Sequence, residues 1–169
     1  MTPVPIPTDD TPLAVRVEAV FRAIAATRMA GVPVLNPALD VAMRGMCRHG
    51  GYDLGVLVTP WFMNLMVFAI DGEASVRVGA KMDLALPSGN YEAIRGHEGE
   101  LGGYWMVSLF SPMDDFESME AAIATADAAM AEIMTAPETP TEPSSPPPAP
   151  AISRRGLFRW AGQDAEGKA

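Results

Sequence analysis

The chain has 169 residues, a single cysteine and a net charge of −9, and 49% of its residues are hydrophobic. The length allows one domain with a tail, and one cysteine excludes an intramolecular disulfide and the cysteine sets of zinc and iron–sulfur sites. Residues 1–136 contain 17 acidic and 8 basic side chains, so they carry the whole net charge. This argues against nucleic acid or an anionic membrane as the main partner and allows a basic peptide.

The first ten residues are rich in proline and acidic side chains. They have neither the basic start nor the apolar core of a secretory signal peptide, and no apolar run reaches the roughly 18 residues that cross a bilayer. We therefore predict a cytoplasmic location, which the cysteine content also fits, and interpret residues 1–10 as a disordered leader.

The first helix is predicted to start near Thr11, which can serve as its N-cap with Pro12 in the first helical position. Apolar residues then recur at helical spacing to about Met29, and Gly31 and Pro33 end the pattern. This amphipathic pattern is typical of a helix that packs on a sheet.

Short strands joined by glycine-rich turns are predicted for the middle of the chain, so the sheet should be mainly antiparallel. Gly50-Gly51 and Asp71-Gly72 are two of these turns. The predicted strands are Ala42–His49, Tyr52–Thr59, Val67–Ile70, Ser75–Val78, Tyr91–Arg95 and Gly103–Phe110.

A second helix is predicted to begin with a capping box of Asp114 and Glu117 and to run to about Met134. The predicted fold class is α+β, over residues 11–136. It is a two-layer sandwich in which the N- and C-terminal helices lie on a mainly antiparallel sheet of five or six strands. The predicted apolar face of this helix consists of Phe116, Met119, Ile123, Ala126, Met130 and Ile133.

Residues 137–151 are proline-rich and predict a solvated linker, and residues 152–169 form a tail with a basic-aromatic cluster. Within it, the run from Ser153 to Arg159 resembles the twin-arginine export motif S-R-R-x-F-L-K. An export signal stands at an N-terminus before an apolar stretch, so this run is not one. Either it is a basic segment that docks on the acidic domain or on a partner, or it mimics a partner's twin-arginine peptide.

The stretch from Thr59 to Met66 is nearly free of charge but is interrupted by Pro60 and Asn64. Proline cannot lie in the middle of a central strand, so a kink or bulge is predicted here. Trp61, Phe62 and Met63 can either pack in the core or form a partly exposed docking corner, because tryptophan and methionine both suit protein interfaces.

No convincing catalytic grouping, phosphate loop or dinucleotide motif is present in the sequence, and we predict that the protein is not an enzyme and needs no cofactor. An enzyme acting on a small molecule is a further alternative with only generic support, because strands can gather residues that are distant in sequence. Cys47 and His49 lie two residues apart on a predicted strand and would share a face. They allow the alternative hypothesis of a metal or iron–sulfur carrier.

Four segments together resemble the HybE/HupJ family of [NiFe]-hydrogenase assembly chaperones. They are Leu57–Met66, Leu84–Gly89, Ser108–Met113 and Arg154–Phe158. The resemblance covers about residues 12–160. Some members of this family are fused to a rubredoxin domain, which needs paired Cys-x-x-Cys motifs that this chain lacks.

The resemblance implies a two-layer α/β sandwich and a non-enzymatic, cytoplasmic chaperone that binds hydrogenase precursors. The small-subunit precursor, which carries a twin-arginine signal, is the main implied partner, and the large subunit and other maturation proteins are further ones. The residues predicted to bind partners are Thr59, Pro60, Trp61, Met63, Asn64, Arg154, Arg155 and Phe158.

Overall fold

A computed structural model describes residues 12–73 and 75–137 of the chain. In this part, six strands lie in sequence between the helices α1 (Leu13–Ala26) and α2 (Met119–Ile133). The strands are β1 (Ala42–His49), β2 (Tyr52–Val58), β3 (Met63–Ala69), β4 (Lys81–Leu86), β5 (Gly89–Glu98) and β6 (Gly102–Phe110).

The six strands form one sheet in the order β1-β2-β3-β6-β5-β4, and every neighbouring pair is antiparallel. Strands β1 to β3 make one three-stranded meander and β4 to β6 make a second. The last strands of the two meanders pair in the centre, where Leu65 of β3 lies opposite Val107 of β6. The predicted α+β class, the antiparallel sheet and its two helices are confirmed.

The two helices pack on opposite faces of the sheet. Because side chains alternate along a strand, Leu65 and Val67 of β3 join the cluster that contains α2, whereas Met66 and Phe68 join the cluster that contains α1. All four side chains are at most 6% exposed. Each face of the sheet thus carries one helix, so the helices and the sheet stack in three layers where the sequence predicted two.

The predicted strand at Ser75–Val78 is wrong. These residues form part of the connection between β3 and β4, and the strand follows later, at Lys81–Leu86. The connection ends in a turn in which the Ala80 amide donates to the Arg77 carbonyl and Gly79 has a φ of 86°. Glycine adopts this left-handed conformation without steric cost, so the turn delays the start of β4.

The helix ends also differ from the prediction. Ser118, and not Asp114, is the N-cap of α2, and its hydroxyl accepts a hydrogen bond from the Ala121 amide at 3.1 Å. Asp114 is unavailable because the chain turns before the helix, where the Phe116 amide donates to the Met113 carbonyl. Helix α1 begins after Pro12 as its N-cap and ends at Ala26. The predicted cap Thr11 lies outside the described residues.

The connection between β3 and β4 is tied to the sheet by Glu73. Its carboxylate accepts hydrogen bonds from the Arg95 guanidinium and, at 2.7 Å, from the Trp105 indole nitrogen. The Arg95 guanidinium also lies 5.2 Å from the centre of the Trp105 ring, a cation–π geometry. The Arg95 side chain is only 8% exposed, so Glu73 supplies the negative charge that its burial requires.

Glu73→Gln should lower the free energy of unfolding by on the order of 2 kcal/mol, because Arg95 would keep its buried charge and lose the opposite one. Urea denaturation followed by circular dichroism measures the change. The matched control is Glu92→Gln, which breaks the exposed Lys81–Glu92 ion pair and should change the stability by less than about 1 kcal/mol. Equal losses in the two variants would contradict the role given to Glu73.

Tyr104 is a core residue on the α1 face. It is 5% exposed and lies edge-on to Phe21, with ring centres 6.4 Å apart. Burial, and then the negative charge of Glu98, raises the pKa of Tyr104 to about 12. The folded protein therefore holds the neutral phenol more strongly than the unfolded chain does, whose tyrosine pKa is about 10.

The contribution of Tyr104 to stability is complete below about pH 10 and is lost as the pH rises from 10 towards 12. The melting temperature should therefore fall over this window, and it should fall less in Tyr104→Phe. Differential scanning calorimetry between pH 8 and pH 12 measures both curves. Tyr91→Phe serves as the control and should keep the wild-type decline, and parallel curves for the wild type and Tyr104→Phe would refute the assignment.

Candidate protein-binding surface

The connection between β2 and β3 is a tight turn built around Thr59. The Thr59 amide and hydroxyl both donate to the Phe62 carbonyl at 2.9 Å, and the same hydroxyl accepts from the amides of Phe62 and Trp61 at 2.9 and 3.3 Å. Pro60 has no amide hydrogen to satisfy. One threonine side chain thus fixes the backbone of the four residues from Thr59 to Phe62.

The turn divides the predicted binding residues into buried and half-buried side chains. Thr59 and Met63 have no exposed surface, Asn64 is 6% exposed and Pro60 is also buried. Trp61 is half-buried, as is its neighbour Phe62. Both interpretations of this stretch therefore apply in part, because Met63 packs in the core and the aromatic pair reaches the surface.

Helix α1 packs against the aromatic pair Trp61 and Phe62. The Trp61 and Phe62 rings are edge-on with centres 5.4 Å apart, and the Phe62 ring is edge-on to Phe21 of α1 at 5.8 Å. Such edge-to-face contacts contribute about 0.5–1.5 kcal/mol beyond their buried area. The helix thus holds the two rings in fixed orientations at the surface.

Asn36 is a structural residue of this region whose role is not evident from the sequence. Its amide donates to the Pro60 carbonyl at 2.9 Å, and its side-chain nitrogen donates to the carbonyls of Met113 and Phe116 at 3.0 and 2.7 Å. It therefore joins the β2–β3 turn to the segment before α2. The Asn36-Pro37 dipeptide signals a turn, but nothing local reveals the distant partners.

The side-chain oxygen of Asn64 is the one buried side-chain nitrogen or oxygen atom without a hydrogen-bond partner in the described part of the chain. Its side-chain nitrogen has only the Met106 sulfur at 3.7 Å, a weak acceptor. An unsatisfied buried acceptor costs about 1–3 kcal/mol. The side-chain oxygen of Asn64, next to the turn, can therefore still accept a hydrogen bond.

The sheet beside Asn64 is only partly covered. Met106 of β6 lies opposite Ile94 of β5 in the strand register, so the two side chains share the face that α1 covers further along. Met106 is half-buried and Ile94 is 37% exposed. We call this region the corner surface; it consists of Trp61, Phe62, Asn64, Ile94 and Met106.

Cys47 and His49 share the α2 face of β1, opposite Leu54 and Tyr52 in the register. Among residues 12–73 and 75–137 there is no group of three or more His, Cys, Asp or Glu side chains that could hold a metal ion. Burial and the charge of Asp53 raise the pKa of the Cys47 thiol, which opposes the thiolate that metals bind. These observations do not favour the carrier hypothesis.

The other predicted binding residues, Arg154, Arg155 and Phe158, lie outside the described residues, as do residues 1–10 and most of the predicted linker. Among the helices that the structure describes, none is long and apolar enough to cross a membrane.

Half-exposed aromatic and methionine side chains on a rigid support are typical of proteins that bind other proteins. Comparison with known proteins gives the family. The family model described as "[NiFe]-hydrogenase assembly, chaperone, HybE" matches residues 13–160. The chain therefore belongs to this family of assembly chaperones, so it is not an enzyme, and subunits of [NiFe] hydrogenases are its partners.

Individual relatives agree with this assignment. The chain is 42% identical over 148 residues to the hydrogenase expression/formation protein HupT of Azotobacter chroococcum mcd 1, over 86% of this chain and 93% of that protein. It is 42% identical over 118 residues to the probable rubredoxin HupJ of Rhodobacter capsulatus, over 69% of this chain and 42% of that protein. The solution structure of HybE from Escherichia coli superimposes with a TM-score of 0.61 at 26% identity, covering 84% of this chain and 90% of that one.

Proposed function

We propose that this chaperone binds the small-subunit precursor of a [NiFe] hydrogenase in the cytoplasm, before twin-arginine export, and keeps the signal away from the export machinery. The large subunit is a further proposed partner. The observation that carries the proposal is the corner surface, where Trp61 and Phe62 are held half-exposed on a turn that Thr59 fixes.

The chemistry of a twin-arginine signal matches this surface. Such a signal combines an arginine pair with an apolar stretch. Trp61 offers a large contact area, and Met106 can adapt its shape to the apolar part. The excess of acidic over basic side chains in residues 1–136, 17 against 8, attracts the arginine pair and speeds the encounter.

The predicted binding residues would then act in different ways. Trp61 would contact the client from the surface, and Asn64 would do so once client binding uncovers its buried oxygen, whereas the buried Thr59, Pro60 and Met63 would hold the turn that presents them. Arg154, Arg155 and Phe158 would make a second contact with the client from the C-terminal segment.

Asn64→Leu tests the direct role of Asn64, because leucine has nearly the same shape and no unsatisfied oxygen. The free energy of unfolding should stay the same or rise by about 1 kcal/mol, while client binding should weaken about tenfold as the hydrogen bond is lost. Denaturation and isothermal titration calorimetry give the two values. A variant that binds as tightly as the wild type would show that Asn64 does not contact the client.

The proposal as a whole is tested by binding the full chain to the small-subunit precursor with and without its twin-arginine signal, with the large subunit as a third ligand. Binding that needs the signal and weakens as salt is raised is the expected result. Equal affinity for the two forms of the small subunit would refute signal recognition, and binding to the large subunit alone would refute the choice of client.

A further inference from the structure

A groove lies on the other face of the sheet from the corner surface, between β1 and the last turns of α2. Its cavity volume is about 280 Å³, and it is lined by Gly45, Cys47, Asp127, Met130, Ala131 and Met134. Apart from Asp127, every lining side chain is apolar or a thiol. Met130 and Met134 are one helical turn apart and so present both thioethers to the same side of α2.

The bulge in β1 shapes this groove. The register between β1 and β2 shifts between Arg44 and Cys47, and Gly45 has a φ of 64°. A Cβ atom at Gly45 would lie 2.6 Å from Cγ of Met130, so glycine at this position lets the helix approach the strand. Because β1 is an edge strand, the groove opens at the side of the sheet.

The rim of the groove carries one acidic side chain, Asp127, which is paired with Arg44. Both oxygens of Asp127 accept hydrogen bonds from the Arg44 guanidinium, at 2.9 and 2.8 Å. This contact holds the pKa of Asp127 below its usual value, so the carboxylate is ionised at neutral pH. Its side chain is 45% exposed and remains accessible to a second cation.

The chain itself supplies a matching segment. Met134 lines the groove and Pro137 is the last described residue, so the rest of the chain starts beside it. Fourteen residues, 138–151, separate this point from Ile152 and can span at most about 50 Å. Ile152–Trp160 has three arginines, no acidic residue and the apolar side chains Ile152, Leu157, Phe158 and Trp160.

We propose that the segment Ile152–Trp160 docks in this groove when no client is bound. Its apolar side chains would pack against Met130 and Met134, and an arginine would reach Asp127. Because the segment is tethered, its effective concentration at the groove is of millimolar order, so a weak contact suffices. While the segment is docked, Arg154, Arg155 and Phe158 would be unavailable for client binding. A client would have to displace the segment from the groove before contacting them. Docking concerns the free protein and does not depend on the identity of the client.

Cys47 allows a direct test, since it lines the groove and is the only cysteine of the chain. In the full chain carrying Phe158→Cys, mild oxidation should form an intramolecular disulfide with Cys47, a bond that requires Cα atoms within about 7 Å. The control is Ala165→Cys, which places the cysteine on the same tethered chain but outside the segment Ile152–Trp160. Non-reducing electrophoresis and peptide mass spectrometry measure the rates.

The crosslink from position 158 should form about tenfold faster than the one from position 165, at a rate independent of protein concentration. Adding Ala131→Arg, which fills the groove from an exposed helix position, should reduce the rate to that of the control. Equal rates for the two cysteine positions would refute docking. A predominance of disulfides between molecules, or no effect of Ala131→Arg, would refute intramolecular binding in this groove. No hydrogenase subunit is present, so these outcomes are independent of the client.

Discussion

Met63→Ala is expected to lower the free energy of unfolding by about 2–5 kcal/mol, the usual cost of removing a fully buried methionine side chain. Met63 has no exposed surface and belongs to the core cluster on the α2 face. It lies opposite Val58 of β2 and Phe110 of β6, so the cavity would open on the α2 face of the sheet beside these two side chains. Chemical denaturation monitored by circular dichroism measures the loss.

Client binding by the folded fraction of Met63→Ala should remain close to the wild-type value, because the side chain does not reach the surface. Met63→Leu is the matched control, since it conserves volume and should cost less than about 1.5 kcal/mol. A Met63→Ala protein of normal stability would contradict the burial, and one that is stable but fails to bind would make Met63 a contact residue.

Trp61→Ala is expected to have the opposite profile. Affinity for the hydrogenase precursor should fall about 30-fold, or about 2 kcal/mol, as for a tryptophan at the centre of an interface. Stability should fall by only about 1 kcal/mol, because the half-buried ring loses mainly its edge-on contact with Phe62. Isothermal titration calorimetry and denaturation of the same protein give the two numbers.

Val78→Ala is the control for Trp61→Ala, because Val78 is 62% exposed and lies in the β3–β4 connection, outside the corner surface. This variant should bind as the wild type does. If Trp61→Ala lost stability while its folded fraction bound normally, Trp61 would be a core residue. If both variants bound less tightly by the same factor, the effect would not be specific to the corner surface.

Much of the sheet could be predicted because local signals and burial agree there. Gly50-Gly51 separates β1 from β2 as expected, and the observed β1, Ala42–His49, has the predicted bounds. The wrong start of α2 shows a distant residue overriding a local pattern. Asp114 and Glu117 have capping-box spacing, yet Asn36 binds the carbonyls of Met113 and Phe116 and holds that segment in a turn.

The candidate site shows the same limit. The sequence located the stretch from Thr59 to Met66, because proline and asparagine interrupt an apolar run. It could not separate the half-buried Trp61 from the fully buried Met63, since this depends on the four-residue turn and on the bulge between Met63 and Asn64. Ile94 and Met106 join the surface through strand pairing across the sheet, for which the chain carries no local signal.

The central pairing of β3 with β6 also bears on how the protein acquires its structure. Within each meander the strands are close in sequence, so each can form early with a small loss of chain entropy. Joining the meanders brings together residues such as Leu65 and Val107, which are 42 positions apart. Helix α2 is synthesised after the other described elements. It contacts β1 and β2, and its Ile133 carbonyl accepts a hydrogen bond from the Ser88 amide in the β4–β5 turn. Helix α2 therefore contacts both meanders. A ribosome-bound chain cannot complete the core of this domain until residue 133 has emerged.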